Sequence, residues 1–123
     1  MLGVAVADAR FLAMVDELAE VERAHAADYT SFSVRGKRFG YYWPRTHTTG
    51  LKQTISEQIA LVAERPDVFE VQFTSGGFGW VVVYLEKIDA DELAELLTES
   101  WRLRAPTSLV EAFDAGSGST ETA

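Results

Sequence analysis

The sequence predicts an α+β domain: a mainly antiparallel sheet of about five strands in hairpins, packed with helices. Three observations predict it. The spacing of apolar residues changes from about 3.6 to 2 and back along the chain; glycine-containing turns separate neighbouring alternating segments, as hairpins require; and no run of strands joined by crossover helices, the signature of a parallel sheet, is present. The 123 residues suffice for one domain that withdraws roughly two thirds of its unfolded surface from water.

The first element is a helix expected over residues 8 to 24, because Phe11, Met14, Val15, Leu18 and Val21 recur at three- and four-residue steps. A connector from Ala24 to Thr30 follows. Phe32, Val34, Phe39, Tyr41 and Trp43 then alternate with smaller or polar residues, and Gly36-Lys37 between them suits a II′ turn with glycine first. That register sets Val34 opposite Phe39 and Phe32 opposite Tyr41. Pro44 should end the strand, since it lacks a ladder donor, and a polar loop from Arg45 to Gly50 leads to a short third strand at Leu51 to Gln53.

Thr54-Ile55-Ser56-Glu57 matches a capping box. The helix it opens should bury Ile55, Ile59 and Val62 and stop before Pro66. Phe69, Val71 and Phe73 alternate again, Ser75 to Phe78 supplies a glycine-rich turn, and Trp80 to Leu85 forms the strongest strand. Asp89 with Glu92 starts a helix carrying the stripe Leu93, Leu96, Leu97 and Trp101. Pro106 and Thr107 precede a short last helix with Leu109, Val110 and Phe113. The domain is thus expected to span 1–113, with 114–123 a mobile polar tail. In the strand at 80–85 both faces are apolar, so either helices cover both or a partner covers one.

Composition narrows the function classes. There is no cysteine, which excludes disulfides, thiolate metal sites and a cysteine nucleophile. The longest apolar run, Trp80 to Leu85, is far below the roughly 20 residues of a membrane span, and Met1 to Val6 carries no basic leader; a cytoplasmic protein without membrane attachment is expected. The net charge is -8, yet between Tyr29 and Ser56 stand Arg35, Lys37, Arg38, Arg45 and Lys52 with no acidic residue. A polyanion would be repelled by most of such a surface and attracted to one portion of it. Helices that collect Glu and Asp for solubility produce the same segregation.

Phe32-Ser33-Val34-Arg35-Gly36-Lys37-Arg38-Phe39, with Leu51-Lys52, Glu64-Arg65-Pro66-Asp67-Val68-Phe69, Gly79-Trp80-Val81-Val82-Val83 and Glu99-Ser100-Trp101-Arg102 before Ala105-Pro106, resembles the MmcQ/YjbR family of small bacterial proteins in order and spacing over about 31–113. The resemblance implies a compact α+β fold likened to a double-wing arrangement, and DNA binding, a role that rests on fold analogy. Residues 23 to 31 lack the Leu-Pro turn common in the family.

The candidate site is the basic hairpin. In the expected register Arg35 faces Arg38 on the outer surface beside Tyr42, and like charges so placed call for an acidic neighbour or an anionic ligand such as phosphate. Lys37 reaches furthest, with Arg45 and Lys52 assisting. Tyr41, Tyr42 and Trp43 with Arg45 and His47 would suit a stacking platform for unpaired bases, although alternation sends Tyr41 and Trp43 to the core and only Tyr42 outward. Gly76, Gly77 and Gly79 feed a strand rather than opening a helix, so a turn explains them better than a phosphate cradle. His25 and His47 lie in no ligand-spaced cluster, and capping accounts for Asp89, Asp91 and Glu92, so no enzyme activity, cofactor or metal is expected. The competing expectation is a protein-interaction or homo-oligomerisation domain docking through the face around Val81, Val83 and Leu85.

Overall fold

The computed structural model describes residues 5–122, with side chains to residue 116. The order of elements is α1 (Asp8–Asp16), β1 (Val21–His25), β2 (Thr30–Val34), β3 (Lys37–Trp43), β4 (Thr48–Thr54), α2 (Ile55–Glu64), β5 (Phe69–Ser75), β6 (Phe78–Tyr84), a 3-10 turn at Leu85–Lys87, α3 (Ala90–Arg102) and α4 (Thr107–Thr122). The class is α+β, as the sequence predicts. All six strands are antiparallel neighbours in the order β1-β2-β3-β4-β6-β5.

The expected long first helix is two elements. α1 ends at Asp16, Glu20 takes a left-handed backbone (φ 57°) that no helix continues, and Val21–His25 pairs with β2 as an edge strand. Helical spacing in the sequence persists into β1 because Val21 alone of its residues is turned inward; the other four are exposed.

The β2–β3 turn also differs from expectation. Val34 pairs with Lys37, so the two-residue loop is Arg35-Gly36, both at positive φ (51° and 80°), the I′ pattern. This register removes the expected Arg35–Arg38 opposition, since Arg38 faces Ser33. Phe39 is then an extra residue between the pairs Ser33–Arg38 and Phe32–Gly40, a β-bulge that inverts the alternation beyond it. Tyr42 therefore points into the core and is buried, while Tyr41 and Trp43 lie on the opposite face. The β5–β6 turn matches expectation, with Gly76 and Gly77 at φ 59° and 83° between Ser75 and Phe78.

One face of the sheet carries the core. Phe11 of α1 meets Phe32 and Tyr42 at ring-centre distances of 5.9 and 5.6 Å. Gln58 of α2 donates to the carbonyls of Phe73 and Trp80, and Gln53 of β4 donates to Leu96 O and Ser100 Oγ of α3. Val81, Val83 and Leu85 are fully buried here, so the docking face expected of them is instead the interior. Both expected helix starts are present: Thr54 accepts from the Glu57 amide and Asp89 from that of Glu92. α2, however, turns Gln58, Leu61 and Val62 inward and leaves Ile55 and Ile59 exposed, because the close approach of Gly79 to Gln58 fixes its rotation.

α4 packs Phe113 on Trp101 (4.8 Å between ring centres) and closes on α3 through a bidentate Arg102–Asp114 pair. The remainder of the expected tail, beyond residue 116, lies outside the described side chains.

Candidate functional site

The face away from the helices is built from alternate positions of β3, β4 and β6. β3 contributes Arg38, Tyr41 and Trp43; β4 contributes Thr48, Gly50 and Lys52; β6 contributes Trp80, Val82 and Tyr84. Their rings form one connected array. Tyr41 stacks on Trp43 with planes 13° apart and centres 5.6 Å apart, and it touches Tyr29 at 5.6 Å and Trp80 at 5.4 Å. Phe73 of β5 continues the row, 5.3 Å from Trp80. Such offset and tilted pairs are the preferred aromatic geometries.

Two cations lie on this array. Arg38 sits 5.2 Å from the centre of the Tyr41 ring and its guanidinium donates to the Tyr41 hydroxyl. The Lys52 ammonium lies 4.1 Å from the Phe78 ring centre and 5.0 Å from that of Trp80, a cation–π arrangement on two rings. Lys52 is only 7% exposed. Its burial, and then the charge of Arg104, push its pKa below the ordinary lysine value.

Gly50 is the close-approach point of the face. A side chain there would collide with the Trp43 ring, 2.9 Å from an added Cβ, and with the Gln72 amide, so glycine lets both lie over the β4 backbone. Beside them Trp43, Thr46, Thr48, Val71, Gln72, Val82 and Tyr84 line a shallow cavity of about 410 Å³.

The sequence-predicted cations do not make one ridge. Arg35 sits in the turn and is neutralised by Glu20, with Nε to Oε1 at 2.5 Å and Nη2 to Oε2 at 3.0 Å; the pair draws the Glu20 carboxyl below its usual range, chiefly through that hydrogen bond. Lys37 is exposed at the tip and Arg45 lies beyond the opposite end of β3, roughly 25 Å along an extended chain from Lys37. Lys52 is covered rather than reaching outward. Tyr42, assigned to the outer face from alternation, faces inward, where its hydroxyl donates to the Asp8 carboxylate; burial first, then that bond, raises its pKa.

What sequence reasoning missed is the grouping of Tyr41, Trp43, Trp80 and Phe73, which the bulge at Phe39 produces, and Arg104, whose guanidinium lies 5.9 Å from the Phe78 ring centre. His47 Nδ1 also pairs with Asp8. This His47–Asp8–Tyr42 set contains no nucleophile of the serine or cysteine type and ties the start of α1 to the β3–β4 corner. Among the described residues no three His, Asp or Glu side chains are grouped as metal ligands, and no helix is long and apolar enough to cross a membrane.

Comparison with known proteins fits this architecture. An uncharacterized protein of Mycobacterium tuberculosis (strain ATCC 25618 / H37Rv) and one of Mycobacterium bovis are each 41% identical over 61 residues, which is 50% of this chain and 47% of theirs; the chain thus matches about half the length of these relatives. The crystal structure of the Deinococcus radiodurans protein DR2400, described as a DUF419 domain, superposes with a TM-score of 0.65 at 21% identity, over 80% of this chain and 76% of that one, and so shares the fold. The family model named YjbR matches residues 16–103, from the end of α1 to the end of α3, and the chain belongs to the YjbR family.

Proposed function

We propose that this protein is a non-enzymatic, cytoplasmic nucleic-acid-binding module that lays single-stranded DNA across the open face of its sheet. The observation that supports the reading is the row of rings from Tyr29 through Tyr41 and Trp43 to Trp80 and Phe73, with Arg38 and Lys52 on its faces. Tyr29, Tyr41, Trp43 and Phe73 keep part of their rings exposed, and bases stack on such rings at about 1–3 kcal/mol each, independent of sequence, while Trp80, 4% exposed, supports the row from within. The chain segment that supplies β3 and β4 is also the one free of acidic residues, so the strand meets the least repulsive part of an acidic molecule. Lys37 and Arg45, at the two ends of β3, then contact phosphates along the strand. A duplex hides its base faces and gains only the phosphate contacts, so single strands bind more tightly. No cofactor, metal or membrane enters this reading.

The test is a tryptophan-fluorescence titration with oligothymidylate and with a duplex of equal length at two salt concentrations. Oligothymidylate should bind with a log–log salt slope of about -2, the value for roughly three phosphates on a single strand, and Trp43→Ala should weaken it at least about tenfold. Absence of binding at low salt, or equal binding by Trp43→Ala, refutes the reading.

A second reading has its own observation. β5 is an edge strand with Val71 57% and Phe73 39% exposed, as a sheet that continues into another copy or a partner protein would present. Sedimentation of the native protein against Val71→Lys tests it: a dimer lost on substitution supports this reading, and a monomer throughout removes it.

A further inference from the structure

Lys52 and Arg104 are 52 positions apart in sequence, yet both flank the Phe78 ring. Lys52 Nζ is 4.1 Å and Arg104 Cζ 5.9 Å from its centre, so the two cations are separated by no more than the sum of those distances. Neither forms an ion pair or a side-chain hydrogen bond with any described residue, and the Arg104 Nε is buried without a partner. A lysine 7% exposed beside a guanidinium, with π faces but no carboxylate, is an arrangement that folding alone disfavours: burial and like charge both act against it.

At Lys52 strand β4 stays paired with β6, through Lys52–Trp80 to Thr54–Phe78, but has lost β3. β3 and β4 stop pairing after Gly40–Leu51, and Ser100 of α3 satisfies the freed backbone by donating to the Lys52 carbonyl at 2.6 Å. Lys52 is thereby held rigidly from behind, and the chain leaving α3 brings Arg104 to the same ring.

We propose that Lys52 and Arg104 form a binding site for a phosphate monoester, whose dianion takes hydrogen bonds from the ammonium and the guanidinium while its organic part extends outward past the half-buried Phe78 ring. Two cations match a doubly charged oxyanion, and guanidinium offers it a planar fork. The ligand is either a free mononucleotide-like ester or the terminal phosphate of a strand. The site does not depend on the reading of the wider face, because a small ester needs neither Trp43 nor Arg38.

The native protein is titrated with thymidine 5′-monophosphate, thymidine and inorganic phosphate, following tryptophan fluorescence and melting temperature at constant ionic strength, and with oligothymidylate bearing or lacking a 5′-phosphate. The monophosphate should bind about tenfold or more tighter than thymidine, and Lys52→Met and Arg104→Met should each remove most of that advantage, whereas Arg10→Ala, at an exposed position of α1, leaves it intact. Lys52→Met should also raise the melting temperature without ligand, since an unpaired buried charge is gone, and should abolish the rise that the monophosphate gives the native protein. If the variants fail to fold, the native melting shift with the monophosphate against thymidine still decides. Preference for the 5′-phosphorylated oligonucleotide assigns the source to strand ends; equal oligonucleotide binding with retained monophosphate affinity assigns it to free esters. Equal affinity for monophosphate and thymidine, or an equal loss in Arg10→Ala, overturns the proposal.

Discussion

The two faces of the sheet are built to different rules. Beneath the helices the contacts are mostly aliphatic and phenylalanine side chains, with Phe11, Phe32, Phe39, Leu51, Val81 and Val83 at zero exposure. The polar groups admitted there, Gln53, Gln58 and Ser100, are all hydrogen-bonded. On the open face tryptophan and tyrosine replace aliphatics, cations lie on rings, and Gln72 Oε1 is buried without a partner. The helical face holds the fold; the open face is the one we propose as the binding surface.

The largest effect that separates the faces is expected from the tryptophans. Trp101, fully buried with its indole donating to the Ala19 carbonyl at 2.9 Å, should cost about 3–5 kcal/mol on truncation to Ala in urea unfolding. Trp43→Ala, on a half-buried ring, should cost much less while removing oligonucleotide binding. A sharper comparison uses two glycines on opposite faces. An added Cβ at Gly79 meets Gln58 Cβ and Cδ at 2.7 Å, atoms fixed by the helix, so Gly79→Ala should lose about 1–3 kcal/mol. At Gly50 the obstacles are the ends of Trp43 and Gln72, which can move; Gly50→Ala should keep near-native stability and weaken binding by displacing the platform.

Smaller still is a pH effect on the helical side. Tyr42 is held protonated in the native state by burial and by Asp8, so its folded pKa lies above the ordinary value of about 10. Its contribution is complete below that pH and is lost as the pH rises through the folded value. Unfolding measured from pH 8 to 11 should show a decline that Tyr42→Phe lacks, and Tyr42→Phe should cost on the order of 1 kcal/mol at neutral pH. The least effect belongs to Glu20→Gln, since the Arg35 pair it breaks is solvent-exposed and screened; melting temperatures should be nearly unchanged, and oligonucleotide binding equal or slightly stronger as Arg35 is freed.

The legible parts of the sequence are those encoded within a few residues. Thr54 with Glu57 and Asp89 with Glu92 mark helix starts because the cap and its partner lie one turn apart, and Gly76-Gly77 marks a hairpin because that turn requires positive φ. The misread parts depend on partners elsewhere. β1 has the apolar spacing of a helix, and only its pairing with β2 and the left-handed backbone at Glu20, a residue that gives no such signal, make it a strand. The bulge at Phe39 is one residue long, yet it exchanges the faces of Tyr41, Tyr42 and Trp43 and so moves the candidate site from the hairpin tip to the open face. Lys52 is singled out by the acid-free stretch, but its burial and its meeting with Arg104 arise from α3 packing, for which no local pattern exists.

The three indole N–H resonances report on both faces at once. In a ¹H–¹⁵N spectrum titrated with oligothymidylate, those of Trp43 and Trp80 should shift while that of Trp101, bonded to Ala19 beneath the helices, stays fixed. Movement of Trp101 with the other two still, or no movement of any, would contradict the assignment of the open face as the binding surface.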